Sequence, residues 1–348
     1  MKRLPILFLL LLLPLTASAQ KDGFWTDWNN YLDYRAAKRY AKIDSNYIGR
    51  YPYRWDARVF YNTDGLHLAT SGTDSDVRLS TGMSNTVGIG LSFRGVGLNY
   101  SVALGKKMNF DFGFASYGKR IGFEYSLLVS SRLSGEVTWL GLPRQQADRG
   151  DLMLMASNLN LLYNFNPRFS YAAAMKQNAI QRKSAGSFLL AASWTAWDVL
   201  GAGPDILSKQ TSIQTLLEVT NMLYLRYSIG AGYGYNLVLG QEHWLLHASV
   251  IPMWTFYDTT IRRVNGVAKT YQRPLGRFAA TGTARVGIYY RWGTRWTIGL
   301  NGVVNQMASS TSLRRNQEGY QRFEAQDWQA RLSVGYRFSK TFSARIGD

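Results

Sequence analysis

The chain predicts an all-β fold: an antiparallel, up-and-down transmembrane β-barrel of about 12–14 strands, behind a short N-terminal segment with helical spacing. Three observations predict it. An export signal opens the chain. No later apolar run approaches the ~18 residues a membrane helix needs. Apolar and polar residues instead alternate with period two along nearly the whole remainder, so each strand carries one greasy and one wet face. The last strand shows the pattern most cleanly. From Trp328 to Phe338 every even position is apolar or aromatic, and every odd one is polar, basic or glycine.

The elements follow in order. Lys2 and Arg3 precede an apolar run from Leu4 to Leu15, then Ala17-Ser18-Ala19, which fits a signal peptidase site. Residues 1–19 read as a cleaved signal peptide with cleavage near Ala19, because the run is too short to span a bilayer as a helix. Residues 20–50 mix Trp25, Trp28, Tyr31, Leu32 and Tyr34 with charges at a spacing compatible with a short amphipathic helix. This periplasmic segment reads as a plug, an interfacial piece or a plain linker. Strands fill residues 51–338, and residues 339–348 form a tail.

Within the barrel, Trp55, Ala57, Val59 and Tyr61 form the first stripe, and Asn62-Thr63-Asp64-Gly65 reads as a turn. Residues 66–82 continue as strand. Short hairpins then carry stripes at Val87–Phe93, Val96–Leu104, Met108–Phe114 and Ile121–Val129. Residues 131–156 are a longer, charged connection, unless a strand hides near Glu136 to Leu140. Leu159 to Phe165 resumes, Asn166-Pro167 turns, and Phe169 to Met175 returns as strand. Further strands cover Ser184–Trp194, Leu223–Tyr235, Trp244–Phe256 (with Pro252 at a bulge or membrane edge), Arg285–Trp292 and Trp296–Leu300. Residues 257–278 and 305–326 read as outer loops. A count of 14 would put residues 131–156 in the periplasm, where connections are short; a count of 12 is the alternative.

Composition narrows the function. There are no cysteines, hence no lipoprotein acylation site, disulfide or thiol metal site. Net charge is +18, and +16 once Lys2 and Arg3 leave with the signal. In an exported chain this does not point to nucleic acid. It suits anionic solutes in a pore, lipid phosphates, or a solvated basic surface. The alternation turns Arg54, Arg58, Arg226, Arg285, Arg291, Arg331 and Arg337 inward, because charge on the lipid face costs a few kcal/mol near the midplane. A basic lumen with open space would favour anions; the alternative is a filled barrel in which these arginines pair internally. Asp56 reads as one of few inward acids.

No cofactor or metal site is expected. His243 and His247 lie about 13 Å apart at ~3.3 Å per residue, too far to share a metal. A lipid-acting enzyme would need a nucleophile and a base, and nothing in the spacing singles out one serine–histidine set.

The stretch Asn166-Pro167-Arg168-Phe169-Ser170 through Gln181-Arg182-Lys183-Ser184-Ala185-Gly186-Ser187 resembles the central signature of the exported family called domain of unknown function 4421, from Bacteroides-type Gram-negative bacteria. Gly88 to Tyr100, Ala231 to Asn236 and His243-Trp244-Leu245 agree with it. The resemblance covers most of residues 47–338. It implies an outer-membrane location and contact with outer-membrane lipid, and it supplies no activity. Gly335, Tyr336 and Phe338 also resemble the signal that hands barrels to the insertion machinery. Here ten residues, Ser339 to Asp348, follow it. The readings that remain are a channel or transport conduit with a basic lumen, a closed structural or assembly barrel, and a barrel enzyme acting on lipid.

Overall fold

The computed structural model describes residues 43–72, 75–105, 109–139, 144–200, 221–264, 267–272, 279–313 and 320–340, with residues 28, 30–34 and 38 of the N-terminal segment. The expected signal peptide and residues 341–348 of the tail lie outside the described residues. Residues 30–34 are helical, and the Trp28 and Tyr31 rings lie 5.8 Å apart.

A short strand β1 (Ile48–Arg50) leads into β2 (Tyr53–Gly72) and β3 (Ser75–Ser80). A meander follows: β4 (Ser84–Phe93), β5 (Val96–Ala103), β6 (Asn109–Tyr117) and β7 (Ile121–Ser130). An excursion of β8 (Ser134–Trp139) and β9 (Gln145–Ala147) precedes β10 (Met153–Asn164). A second excursion holds helix α1 (Tyr171–Met175) and β11 (Ala179–Gln181). The chain then runs through β12 (Ala185–Leu200), β13 (Asn221–Leu239), β14 (Trp244–Val264), β15 (Val267–Gln272), β16 (Ala280–Trp292), β17 (Trp296–Leu313) and β18 (Tyr320–Lys340).

Strands β2, β4, β5, β6, β7, β10, β12, β13, β14, β16, β17 and β18 pair in that order, each antiparallel to the next. β18 pairs back onto β2 from Gln321 opposite Gly72 to Lys340 opposite Tyr53. The sheet is thus a closed barrel of twelve strands. Short turns and the start of β2 occupy one end, the turn end; long connections occupy the other, the loop end. There β3, β8 and β9 extend the upper part of β2, and β15 folds back on β14.

Two expected strands are absent, which brings fourteen to twelve. The Asn62–Gly65 turn does not form: β2 runs straight through it. Asn62 and Asp64 share the inward parity of buried Phe60, with Asn62 donating to Thr86 Oγ1 and accepting from Arg331. Gly65 is where the Trp328 side chain crosses β2; a Cβ there would stand 2.6 Å from the indole nitrogen. The second is Phe169–Met175, which is no strand. Ser170 caps α1 by accepting from the Ala173 N–H, and the segment leaves the wall. With twelve strands, residues 131–156 lie at the loop end and contain β8, the strand foreseen near Glu136. The expected loops 257–278 and 305–326 are largely strand, since β14 runs to Val264, β17 to Leu313, and β18 starts at Tyr320.

The outer face is apolar. Val59, Ile89, Phe188, Ile229, Val250, Val286, Ile298, Leu300, Leu332 and Val334 are all exposed. At the turn end an aromatic girdle rings the wall: Trp55 packs on Phe93 (4.5 Å between ring centres) and Phe338, Trp296 on Tyr336 (4.7 Å), and Trp244 on Tyr290 (4.8 Å). A second aromatic group, Trp254, Phe256, Tyr257 and Tyr227, lies ten residues further along β14. Ten residues span about 33 Å of strand; a tilt of roughly 40° makes that about 25 Å of height, the thickness of a membrane-spanning apolar band. The ladder between β13 and β14 shifts between Tyr227 and Ser228. Pro252 lies in a gap of that ladder, where Gly230 and Gly232 let the two backbones close up; a Cβ on Gly232 would meet the Val250 carbonyl at 2.0 Å.

Candidate functional site, a plugged lumen

The connection between β10 and β12 does not stay outside the barrel. Residues 166–184 fold into the lumen at the turn end as a plug. Phe169 is fully buried, and Tyr171 and Ala172 to Ala174 are buried beside it. Its two faces differ. One face packs on an apolar stretch of wall: Phe169, Tyr171, Ala172 and Ala173 cluster with Ala115, Leu162, Leu189, Ala191, Ile251 and Met253. The opposite face is polar. Lys176 and Gln177 end α1 there, and Gln177 takes a left-handed φ of 46°. The Lys176 carbonyl and the Gln177 side chain both accept from Arg58. The Gln177 carbonyl accepts from Arg337 at 2.6 Å.

The signature residues build the frame of this plug. Asn166 donates to the Gly186 carbonyl at 2.7 Å and accepts from the Arg168 N–H. Arg168 and Lys183 stack their cations over Tyr47. The Ser184 hydroxyl accepts from the Val238 N–H at 2.9 Å, and the Ser187 hydroxyl from the Asn166 N–H at 3.0 Å. Gln181 is the hub. Its amide nitrogen donates to the carbonyls of Arg168 and Lys183, with that of Tyr47 at 3.3 Å, and its oxygen accepts from Ser170 N–H at 2.9 Å and from Asn236 at 3.0 Å. β11 also pairs with β1, Gln181 opposite Ile48. Residues 43–50 therefore clip this half of the plug in place.

The arginines foreseen in the lumen make the following contacts. Arg58 binds Asp56 at 2.6 Å, and Arg337 reaches the other Asp56 oxygen at 3.3 Å while stacking on Tyr51 at 3.6 Å. Arg285 holds Glu124 with both terminal nitrogens, at 2.5 and 2.7 Å, a bidentate charge-assisted pair. β7 and β16 stand five places apart in a ring of twelve, so this pair is a strut across the lumen. Arg331 donates to Asn62 at 2.7 Å and lies 3.9 Å from Asp111 on the far side. Arg291 pairs with Glu242 at the turn end, 3.3 Å away. Arg226 is buried higher up, 5.4 Å over Tyr224 and opposite Asp258 in the ladder. Arg54 stands at the turn end, its carbonyl accepting from Arg94 N–H. Inward acids are more numerous than Asp56 alone: Glu124, Asp111 and Asp327 also face the lumen, Asp327 accepting from Asn305 at 2.7 Å.

Lys176 lies deep among these groups. Its ammonium meets the Asn99 amide oxygen at 2.7 Å in the amide orientation that satisfies both ends. Burial, then Arg331 and Arg58, lowers its pKa from 10.5 to about 7, against the opposing pull of Glu124 and Asp111. Burial also raises the pKa of the Tyr171 phenol.

Below α1 runs a second chain of hydrogen bonds. His247 Nδ1 lies 2.8 Å from Asn236 Oδ1, and its Nε2 lies 3.0 Å from Ser249 Oγ. Asn236 is the ladder partner of His247, and Ser249 is two residues along the same strand face. The hairpin register from Leu239 opposite Trp244 fixes that pairing, so the sequence held the signal; reading histidines against each other, for a metal, missed it. His243 lies in the turn before β14. Among the described residues no three metal-ligating side chains cluster.

The loop end is sealed differently. Leu66, Leu68, Val77, Leu79, Leu133 and Leu154 are buried with Trp197, Tyr224 and Phe323. Phe323 of β18 stacks on Tyr224 of β13 at 3.7 Å, a contact between strands that are not neighbours and therefore across the lumen.

These features define a membrane-spanning β-barrel whose lumen is closed by its own inserted segment. A family model described as a domain of unknown function, DUF4421, matches residues 42–338, and the chain belongs to that family. The match spans the plug. No curated protein matches in sequence. Among solved structures it is similar to the outer membrane protease OmpT from Escherichia coli (9% identity, 82% of this chain and 97% of that one, TM-score 0.37). It is also similar to the beta domain of the Bordetella autotransporter BrkA (10%, 82% and 99%, 0.36). The COG4313 outer membrane channel from Pseudomonas putida F1 is a third (10%, 82% and 96%, 0.36). Likeness at this level carries no argument about function.

Proposed function

We propose that the protein is an outer-membrane conduit held shut at rest by residues 166–184, of which α1 with Lys176 and Gln177 is the displaceable part. The turn end would face the periplasm, Gly335, Tyr336 and Phe338 would serve insertion, and export would remove residues 1–19. One observation carries the reading: the plug meets β2 and β18 through groups that water can replace. Arg58, Arg337, Lys176 and Gln177 lose direct hydrogen bonds on release and regain hydration, which offsets part of the cost of parting Tyr171, Ala172 and Ala173 from the apolar wall. Displacement would leave Arg58 and Arg337 facing one acid, Asp56. An anion preference of the open state would come from these two rather than from the whole arginine set.

The test is single-channel conductance in a planar bilayer. The chain has no cysteine, so Arg58→Cys with Gln177→Cys allows a short bis-thiol reagent to bridge plug and wall. Intermittent openings before bridging and silence after it would support the plug as gate, and openings that favour anions in the unaltered chain but not in this variant would assign the preference to Arg58. Openings that persist after bridging would refute it. A second reading, a closed structural barrel, is favoured by the apolar seal at the loop end, and predicts silence both before and after bridging.

A further inference from the structure

We propose that Ser249, His247 and Asn236 form a nucleophile, base and orienting group for acyl transfer, facing the lumen beneath α1. The three sit in one hydrogen-bonded line, with base and nucleophile two residues apart on β14 and the orienting amide directly opposite on β13. That is the geometry such chemistry requires: nucleophile to base at 3.0 Å, base to orienter at 2.8 Å.

The direction of the line is set from outside it. The Asn236 amide nitrogen donates to the Ser170 carbonyl and to Gln181 Oε1, each at 3.0 Å. Gln181 is itself oriented, because its nitrogen is surrounded by three carbonyls, donating to those of Arg168 and Lys183 at 2.7 and 2.9 Å with that of Tyr47 at 3.3 Å. The Asn236 oxygen must then face His247, which puts the imidazole proton on Nδ1 and leaves Nε2 as acceptor for the Ser249 hydroxyl. This assignment of protons follows from the network. It makes Nε2 the base.

An electrophile would also find a donor. Arg285 is the ladder partner of Ser249 on β16, and Glu124 holds its two terminal nitrogens. Its third nitrogen, Nε, is buried, and the Tyr171 hydroxyl of α1 bears on both this guanidinium and Ser249, so the departure of α1 frees an N–H here. A fixed cation with a spare N–H beside the nucleophile suits a developing oxyanion. The surroundings are apolar. With α1 displaced, Phe169, 6.1 Å from the imidazole ring centre to ring centre, and Ile251 and Leu189 of the same cluster remain. The substrate class is therefore a carboxylic ester with a short or medium apolar acyl chain.

The step balances with water as the only co-reactant. Ser249 Oγ bonds to the carbonyl carbon while its proton passes to His247 Nε2. The ester C–O bond breaks, and His247 returns the proton to the departing alcohol. Water then attacks the acyl carbon, gives a proton to His247, and frees the acid as the Oγ–C bond breaks and the proton returns to Ser249.

Ser249 is buried, and α1 covers it. Access rests on the plug reading above, though only α1 must move; Gln181 stays clipped to β1. The experiment keeps the two ideas apart. The full chain, folded in phospholipid vesicles, is exposed to a short-chain alkyl fluorophosphonate. In parallel, Ser249→Cys supplies the only thiol and is exposed to iodoacetamide.

Phosphonylation at Ser249, lost in Ser249→Ala and reduced about a hundredfold or more in His247→Gln, would support the triad. Asn236 is a positioning residue: Asn236→Leu should slow labelling and shift its pH profile, and Asn236→Asp should restore it. Alkylation of the thiol in Ser249→Cys, without phosphonylation of Ser249 in the unaltered chain, would overturn the chemistry while leaving the plug mobile. Neither reaction, with the Gln177→Ala variant equally inert, would overturn the proposal through access.

Discussion

The two ends of the lumen are closed by opposite means. At the turn end an inserted segment fills the barrel and is tied to β2 and β18 by arginines, a lysine and a glutamine. At the loop end the wall closes on itself, with Phe323 stacked on Tyr224 and ringed by leucines. Hydrogen bonds to charged groups exchange with water at a modest net cost. Apolar contacts cannot, because opening them exposes hydrocarbon at about 25 cal/mol per Å². One end is thus latched by groups that water can replace, and the other by hydrocarbon that must also part before the barrel conducts.

The largest expected effect breaks the apolar end. Phe323 is fully buried, and Phe323→Ala removes a ring that touches strands on both sides of the lumen. A loss of about 3–5 kcal/mol is expected, read as an earlier urea midpoint of the vesicle-inserted barrel. An unchanged midpoint would mean that this end is wet and loosely packed, and the contrast would fail.

The next tests the strut between them. Arg285→Ala leaves Glu124 in the lumen with only the Tyr117 hydroxyl as a donor. In a dry interior the loss of one partner costs about 3–5 kcal/mol; in a lumen that admits water it should cost much less. Removing both charges in Arg285→Ala with Glu124→Ala should recover most of the loss. Equal losses in the single and double variants would show that the pair acts by packing and not by charge.

Sequence alone carried the wall and not its contents. Alternation sorted the two faces near the turn end, where Leu332 and Val334 are exposed while Ser333 and Arg337 are buried, but towards the loop end Arg322 and Glu324 take the outward parity. It miscounted the strands at two places, for different reasons. Asn62–Gly65 looked like a turn because polar, small residues also line a wet lumen. Phe169 to Met175 looked like a strand because Phe169, Tyr171, Ala173 and Met175 fall on alternate positions. In fact they pack the plug from a helix of one turn and its entry, which five residues cannot announce by period. The cross-lumen partners, Arg285 with Glu124 and Arg331 with Asp111, depend on how strands face each other across the barrel. No local spacing holds that information. Asn236 with His247 differs, since a four-residue turn fixes the register.

The smallest effect sharpens the turn end, and Lys176 supplies it. Docked, this lysine has a pKa of about 7; released into water it returns to 10.5. The docked state therefore disfavours the charged form, and between these values the released state binds more protons. Docking is then strongest in alkali and weakens as pH falls from about 10.5 to about 7. Below 7 the lysine is charged in both states, and its contribution is constant. Open probability in the bilayer should rise as pH drops through that window and level off beneath it. Lys176→Met, which keeps the stem and removes the charge, should flatten the curve and lower its acid plateau. A curve that keeps its slope in Lys176→Met would assign the titration to another group and leave the polar latch without its proton dependence.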